Sequence, residues 1–99
     1  MGEERKIKVE KSVVFTDLDD GSGVLLHLES KFYYSLNPTA SFIWRLLEEK
    51  EELSRERILQ EVLENFEVEK EQAEKDVDEF IENLLKEGLI SIDWRENIW

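Results

Sequence analysis

Side chains that could do chemistry are few in this 99-residue sequence, although carboxylates are abundant. His27 is the only histidine and there is no cysteine, so the sequence lacks a thiol nucleophile and the ligands of a zinc site. Glu71 and Lys75, like Glu82 and Lys86, are four residues apart, which is the spacing of ion pairs that support a helix. A lone histidine on an alternating strand is usually structural. We therefore expect no enzymatic activity, no metal and no cofactor.

The charge of the chain disfavours several classes of partner. There are 25 acidic residues against 13 basic ones, a net charge of −12. Residues 47–87 contain 16 acids and 6 bases, a local balance of −10, so these segments would repel a nucleic-acid backbone or an anionic membrane. No signal peptide and no run of roughly 20 apolar residues is present. We expect a cytoplasmic protein that binds neither nucleic acid nor membrane.

Three short runs rich in β-branched and aromatic residues predict strands at residues 13–18, 24–29 and 32–36. The first connection, residues 19–23, is a turn cluster with two glycines, and the second is only two residues long. Because connections this short join antiparallel neighbours, the three runs predict a β-meander.

Three helices follow the meander in the predicted order of elements. Asn37 caps the first, which begins at Pro38 and runs to about residue 49. Apolar residues recur at helical spacing in the other two, over about 54–65 and 70–86, and Gly88 ends the last. The fold class is therefore α+β and winged-helix-like, a three-stranded antiparallel β-meander followed by three α-helices.

The length allows one domain. We assign it to residues 12–92, with a flexible arm at residues 1–11 and a C-terminal tail at residues 93–99. Residues 89–92 predict either a short terminal strand or an extended segment.

The predicted strand at residues 32–36 has no sequence neighbour to cover its outer edge. An uncovered edge can accept an extended peptide as a further strand, with aromatic residues supplying contact area. In the alternative interpretation Phe32, Tyr34 and Leu36 belong to the core and Tyr33 is a surface ring. The residues alone leave the two interpretations open.

Three sequence segments resemble the PqqD family. These are the segment from Phe32 to Trp44, FYYSLNPTASFIW, the stretch Gly21–Leu28, and the pattern of Asp76, Val77, Phe80 and Leu84 before Gly88-Leu89-Ile90. In order and spacing they resemble a recognition element of ribosomally synthesised, modified peptides (RiPPs) over about residues 12–92. The family's "PE" and "Asp-Gly" pairs are absent, so the sequence looks closer to the stand-alone B1-like elements of lasso-peptide clusters than to members serving the quinone cofactor.

The resemblance implies a non-catalytic domain that binds the leader of a precursor peptide between the third strand and the third helix. It also implies processing enzymes as partners: a leader protease, with a cyclase or a radical enzyme. The peptide-binding residues implied by position are Phe32, Tyr33, Tyr34, Ser35, Asp76, Val77, Phe80, Asn83 and Leu84.

The leading hypothesis is thus an adaptor that binds a leader peptide and presents it to processing enzymes. From the acidic helices we expect basic residues in that leader, and we expect Tyr34→Pro to abolish binding. The alternative is an acidic winged-helix-like module for protein–protein assembly without a peptide groove. Such a module would bind through residues 94–99 or the outer face of the sheet.

Overall fold

Five strands and three helices form the part of the chain that the computed structural model describes, residues 5–50 and 53–94. The α+β class, with an antiparallel meander followed by three helices, is confirmed. The elements in chain order are β1 (Arg5–Val9), β2 (Val13–Asp17), β3 (Gly23–His27), β4 (Tyr33–Leu36), α1 (Pro38–Lys50), α2 (Arg55–Asn65), α3 (Lys70–Lys86) and β5 (Ile90–Trp94).

The meander has the strand order β2-β3-β4, with both pairs antiparallel. Its first turn places Asp19 and Gly21 at positive φ, 73° and 94°. The second glycine of that turn, Gly23, lies against the Phe15 ring, and a Cβ at this position would force that ring to shift. Glycine therefore allows the close approach of an aromatic ring to the backbone.

The starts of α1 and α2 and the end of α3 agree with their predicted capping residues. The side chain of Asn37 accepts a hydrogen bond from the Ala40 N–H (2.8 Å), and that of Ser54 accepts one from the Arg57 N–H (3.2 Å). Gly88 follows α3 at φ 75°, the left-handed conformation expected after a helix C-terminus.

The core lies between the helices and the inner face of the meander. Leu25 at the centre of β3 and Trp44 of α1 are fully buried, as is Val77 of α3. Along β3 the alternation buries Leu25 and leaves Val24 and Leu26 half-buried on the outer face. One face of the sheet is therefore covered by helices.

A second sheet departs from the expectation of a loose arm at residues 1–11. β1 pairs antiparallel with β5, and Ile7 is 1% exposed. The Ile7 N–H also donates to the Leu53 carbonyl (2.8 Å), and the Leu53 N–H donates back (3.3 Å). The burial of one aliphatic side chain and these backbone bonds explain why residues 5–9 form a strand.

Candidate functional site

The outer edge of β4 has no ladder partner among the described residues. β4 is a terminal strand of the meander, and β1 and β5 pair with each other in a separate sheet. In register, Tyr33 is opposite Leu26 and Tyr34 is opposite Leu25. The edge proposed from the sequence to receive a guest strand is therefore open in the described structure.

The hydrogen-bond alternation decides which backbone groups face that edge. The His27 N–H donates to the Phe32 carbonyl (3.0 Å), so these opposite residues form a hydrogen-bonded pair. Such pairs alternate along an antiparallel ladder, which makes Leu25 and Tyr34 the next bonded pair. The N–H and C=O groups of Tyr33 and Ser35 consequently point away from β3, toward the open edge.

The side chains of this segment divide between the two faces of the sheet. Tyr33 (70% exposed) and Ser35 (exposed) lie on the outer face, while Tyr34 is half-buried and packs against the core. Leu36 is buried, but Phe32 is 62% exposed. The interpretation that placed Phe32 in the core is wrong, because the chain is still in the turn before β4 at that residue.

Tyr34 connects β4 with the C-terminal end of α3. Its hydroxyl donates a hydrogen bond to Glu87 Oε1 at 3.1 Å. Desolvation, followed by this hydrogen bond and the negative charge of Glu87, raises the pKa of Tyr34 above its ordinary value of 10.0. The phenol is therefore a stable neutral donor at physiological pH, and it holds the strand beside the helix.

A pocket of about 270 Å³ lies between the start of α1 and the middle of α3. Three of the residues expected on the helix side line it, and five others contribute. The lining residues are Asn37, Thr39, Ala40, Ile43, Asp76, Glu79, Phe80 and Asn83.

Two residues expected on the helix side lie elsewhere. Val77 is fully buried and Leu84 is 3% exposed, and both belong to the hydrophobic core. Asp76 and Asn83 are exposed and Phe80 is half-buried. The residues of α3 that line the pocket are therefore Asp76, Glu79, Phe80 and Asn83.

The contribution of α1 to the pocket was missed from the sequence. A signal was available, because Asn37 follows directly on Leu36 and the first turn of α1 must therefore lie at the end of β4. The pocket is acidic as well: Asp76 and Glu79 line it, and no lysine or arginine among the described residues does. This arrangement suits an apolar side chain flanked by a cation.

The one histidine of the sequence makes a local contact within the meander. His27 Nδ1 accepts a hydrogen bond from the Ser30 N–H (3.2 Å) within the second turn. Among the described residues no group of three His, Cys, Asp or Glu side chains is placed to hold a metal ion. No helix in this part of the chain is long and apolar enough to cross a membrane.

An open strand edge beside a helix is the arrangement through which some domains accept an extended peptide by strand addition. The family model of Coenzyme PQQ synthesis protein D (PqqD) matches residues 22–90, and the chain belongs to this family. A comparison with curated protein sequences finds no match.

Two solved structures share the fold. One, described as TbiB1 in complex with the TbiA(beta) leader peptide, is 31% identical, covers 85% of this chain and 94% of its own, and superposes with a TM-score of 0.75. The other, a lasso peptide synthetase B1 complexed with the leader peptide, is 27% identical, covers 86% and 96%, and has a TM-score of 0.71. Both of these structures are described as complexes with a leader peptide.

Proposed function

We propose that this protein is a non-catalytic adaptor that binds the leader segment of a ribosomally synthesised precursor peptide. The leader adds to β4 as a fourth strand and places one side chain in the pocket beside α3. The observation that carries the proposal is the open edge of β4, where Tyr33 and Ser35 offer backbone donors and acceptors. None of the four expected strand-side residues lines the pocket, but Asn37, which follows β4 directly, does. The leader complexes of the two similar B1 proteins support it.

The adaptor catalyses no reaction itself and instead raises the local concentration of the precursor peptide at the processing enzymes. A bound leader brings its attached core peptide to the enzymes that modify it, which raises the effective concentration of substrate at those enzymes. The partners that fit this role are a leader protease with a cyclase, as expected for a lasso-peptide pathway. The setting is the cytoplasm, where precursors are made.

The test is direct binding of the fluorescein-labelled leader of the precursor encoded beside the gene, with the TbiA(beta) leader as a second probe. We expect saturable binding by fluorescence polarisation. Asn83→Trp should weaken it at least about tenfold, because the ring fills an exposed part of the pocket. Glu82→Trp is the matched control, since Glu82 is exposed and lines a different pocket. Failure of both leaders to bind, or equal loss in both variants, would contradict the proposal.

A second candidate, protein–protein assembly, is favoured by the outer face of the meander. Its six outward positions carry no charge, in a chain of which 38% of residues are charged. They form two cross-strand rows, Val14-Leu26-Tyr33 and Thr16-Val24-Ser35. Uncharged, partly exposed surface of this kind is typical of an interface core.

Leu26→Asp separates this candidate from the adaptor. Assembly through the outer face predicts loss of partner binding with leader affinity kept within about threefold. The other proposed surface was residues 94–99, of which residues 95–99 lie outside the described part of the chain. A deletion that tests them should begin at residue 95, because Asp93 and Trp94 belong to β5.

A further inference from the structure

The stripe of α3 that lines the pocket continues beyond it to Glu87. Asp76, Phe80 and Asn83 recur at intervals of four and three residues, and Glu87 follows Asn83 by four. Residues at this spacing lie on one face of a helix, so Glu87 extends the same flank by about 6 Å. Glu87 was not among the residues expected on the helix side of the site.

The strand side of the site runs in the opposite direction to α3. Asn37, which follows β4, lines the pocket, and Tyr34 lies three residues earlier, about 10 Å away along the strand. The Tyr34 hydroxyl donates to Glu87 Oε1 at 3.1 Å. The groove between β4 and α3 therefore has the pocket at one end and the Tyr34–Glu87 hydrogen bond at the other.

The two ends of this groove are held in different ways. At the pocket, β4 passes directly into α1, whose Ile43 and Trp44 are buried, so packing fixes the strand there. At the other end, β4 follows an exposed turn at residues 28–32 and pairs only with β3 in its sheet. The side chain of Tyr34 is what links this end of the strand to α3.

The position of Glu87 on α3 is itself well fixed. The Glu87 N–H donates to the Asn83 carbonyl (3.0 Å), and after the turn at Gly88 the Leu89 N–H donates to the Leu84 carbonyl (2.9 Å). Leu89 is 1% exposed, so the chain that follows Glu87 is held in the core. A carboxylate on such a backbone can hold the tyrosine, and with it the strand, at a constant distance from the helix.

We propose that Glu87 is a positioning residue for leader binding, and that its hydrogen bond with Tyr34 sets the width of the groove beside the guest strand. This inference rests on the proposed function. A groove already held at its bound width loses less conformational freedom when the leader binds, and such preorganisation increases affinity. Glu87 acts through Tyr34, and its role is to accept a hydrogen bond and not to supply charge.

Removing the hydrogen bond from either side should weaken leader binding to the same extent. In fluorescence polarisation with the two labelled leaders, we expect Tyr34→Phe and Glu87→Ala each to lower affinity about three- to tenfold. The double variant should bind within about twofold of either single variant, because both substitutions remove the same interaction. Additive losses would overturn the proposal, since they would mean that the two side chains contact the leader independently.

Glu87→Gln separates hydrogen bonding from charge. Glutamine keeps an acceptor oxygen, so this variant should bind the leader within about twofold of the unsubstituted chain. Glu82→Ala is the matched control for Glu87→Ala, because it removes the same charge from an exposed position of α3 that lines a different pocket. It should also bind within about twofold. A loss in Glu87→Gln equal to that in Glu87→Ala would assign Glu87 to a leader cation and overturn the positioning role.

Amide hydrogen exchange in the free protein measures the effect of the hydrogen bond without a leader. Leu25 is paired with Tyr34 across the β3–β4 ladder, so exchange of its N–H reports the opening of this part of the sheet. We expect about three- to tenfold faster exchange at Leu25 in Tyr34→Phe and Glu87→Ala, with the Val62 amide of α2 unchanged within about twofold. Unchanged exchange at Leu25 would overturn the proposal, because the strand would then be fixed without Glu87.

The proposed function and the role of Glu87 fail in different ways in these experiments. If the unsubstituted chain binds neither leader, the proposed function is wrong, and exchange at Leu25 still decides whether Glu87 positions β4. If the unsubstituted chain binds a leader and both Tyr34→Phe and Glu87→Ala bind it equally well, the proposed function stands and the positioning role of Glu87 is wrong.

Discussion

At the scale of single residues, the direction of backbone groups decides which positions of β4 can serve a guest strand. The hydrogen-bond alternation directs the N–H of Tyr34 toward Leu25 and that of Ser35 toward the open edge. The sequence-based expectation for Tyr34→Pro needs revision for this reason. That substitution would break the ladder between β3 and β4, so its effect on binding would reflect damage to the fold.

Ser35→Pro is the substitution that tests strand addition. It removes an outward-facing N–H on an edge strand, a position where proline is compatible with a sheet. We expect leader affinity to fall at least about tenfold by fluorescence polarisation, while the circular dichroism spectrum is retained.

Ser35→Ala keeps the N–H and is the matched control. It should bind the leader within about twofold of the unsubstituted chain, because the serine side chain lies on the outer face of the sheet. If Ser35→Pro binds as tightly as Ser35→Ala, the leader does not pair with this edge.

At the scale of elements, local signals predicted the helices and the meander. The limits of α3, at residues 70 and 86, follow from its apolar spacing and from Gly88, and α2 begins after its Ser54 cap. The β1–β5 sheet was not predicted. Its strands are more than 80 residues apart in the chain, and a pairing over that distance leaves no turn signal in the sequence.

Ile7→Ala tests whether the second sheet is part of the core. Ile7 is 1% exposed, so truncation to alanine should lower the free energy of unfolding by about 2–5 kcal/mol in urea titrations. Val14→Ala removes a β-branched side chain that is 45% exposed, and it should change the free energy of unfolding by less than about 1 kcal/mol. Similar values for the two variants would mean that residues 5–9 behave as a loose arm.

The Arg55–Asp78 ion pair joins α2 to α3 and makes stability depend on pH. The hydrogen bond from Arg55 is the main reason that the pKa of Asp78 lies below its ordinary 3.8, with Coulombic attraction adding to it and desolvation opposing it. A lowered carboxyl pKa stabilises the fold above the unfolded-state pKa, and this contribution is lost as the pH falls through the folded-state value.

Asp78→Asn should therefore lower stability at neutral pH, and the difference should shrink as the pH falls below 3.8 through the lowered pKa of Asp78. The Asp78 side chain is 56% exposed, so solvent screening limits the loss to about 0.5–1 kcal/mol. Urea unfolding over this pH range is the measurement. Glu82→Gln makes the same change in the charge of α3 without breaking the Arg55–Asp78 ion pair. If its stability depends on pH in the same way as that of Asp78→Asn, the effect comes from net charge and not from the ion pair.

At the scale of the whole molecule, the sequence predicted the two elements of the site but not all of its lining. The family resemblance implied Asp76, Phe80 and Asn83 on the helix side of the site, and all three line the pocket. The same resemblance implied Val77 and Leu84, which the apolar spacing of α3 places on its inward side and which are buried in the core. The contribution of α1 depends on the angle at which it leaves β4, which local spacing does not specify.

The net charge of −12 gives the last prediction, because it acts on the leader as a long-range field. If the leader contributes basic residues to the acidic pocket, its affinity should fall about five- to tenfold between roughly 0.05 and 0.5 M NaCl, as the Debye length shortens.

The slope of leader affinity against salt concentration should decrease in the double variant Asp76→Asn/Glu79→Gln, which removes both carboxylates that line the pocket. Glu48→Gln/Glu49→Gln makes the same change in net charge at the exposed C-terminal end of α1 and should keep most of the slope. Equal slopes in the two variants would assign the salt effect to overall charge, and affinity independent of salt would mean that backbone pairing and apolar contacts alone hold the leader.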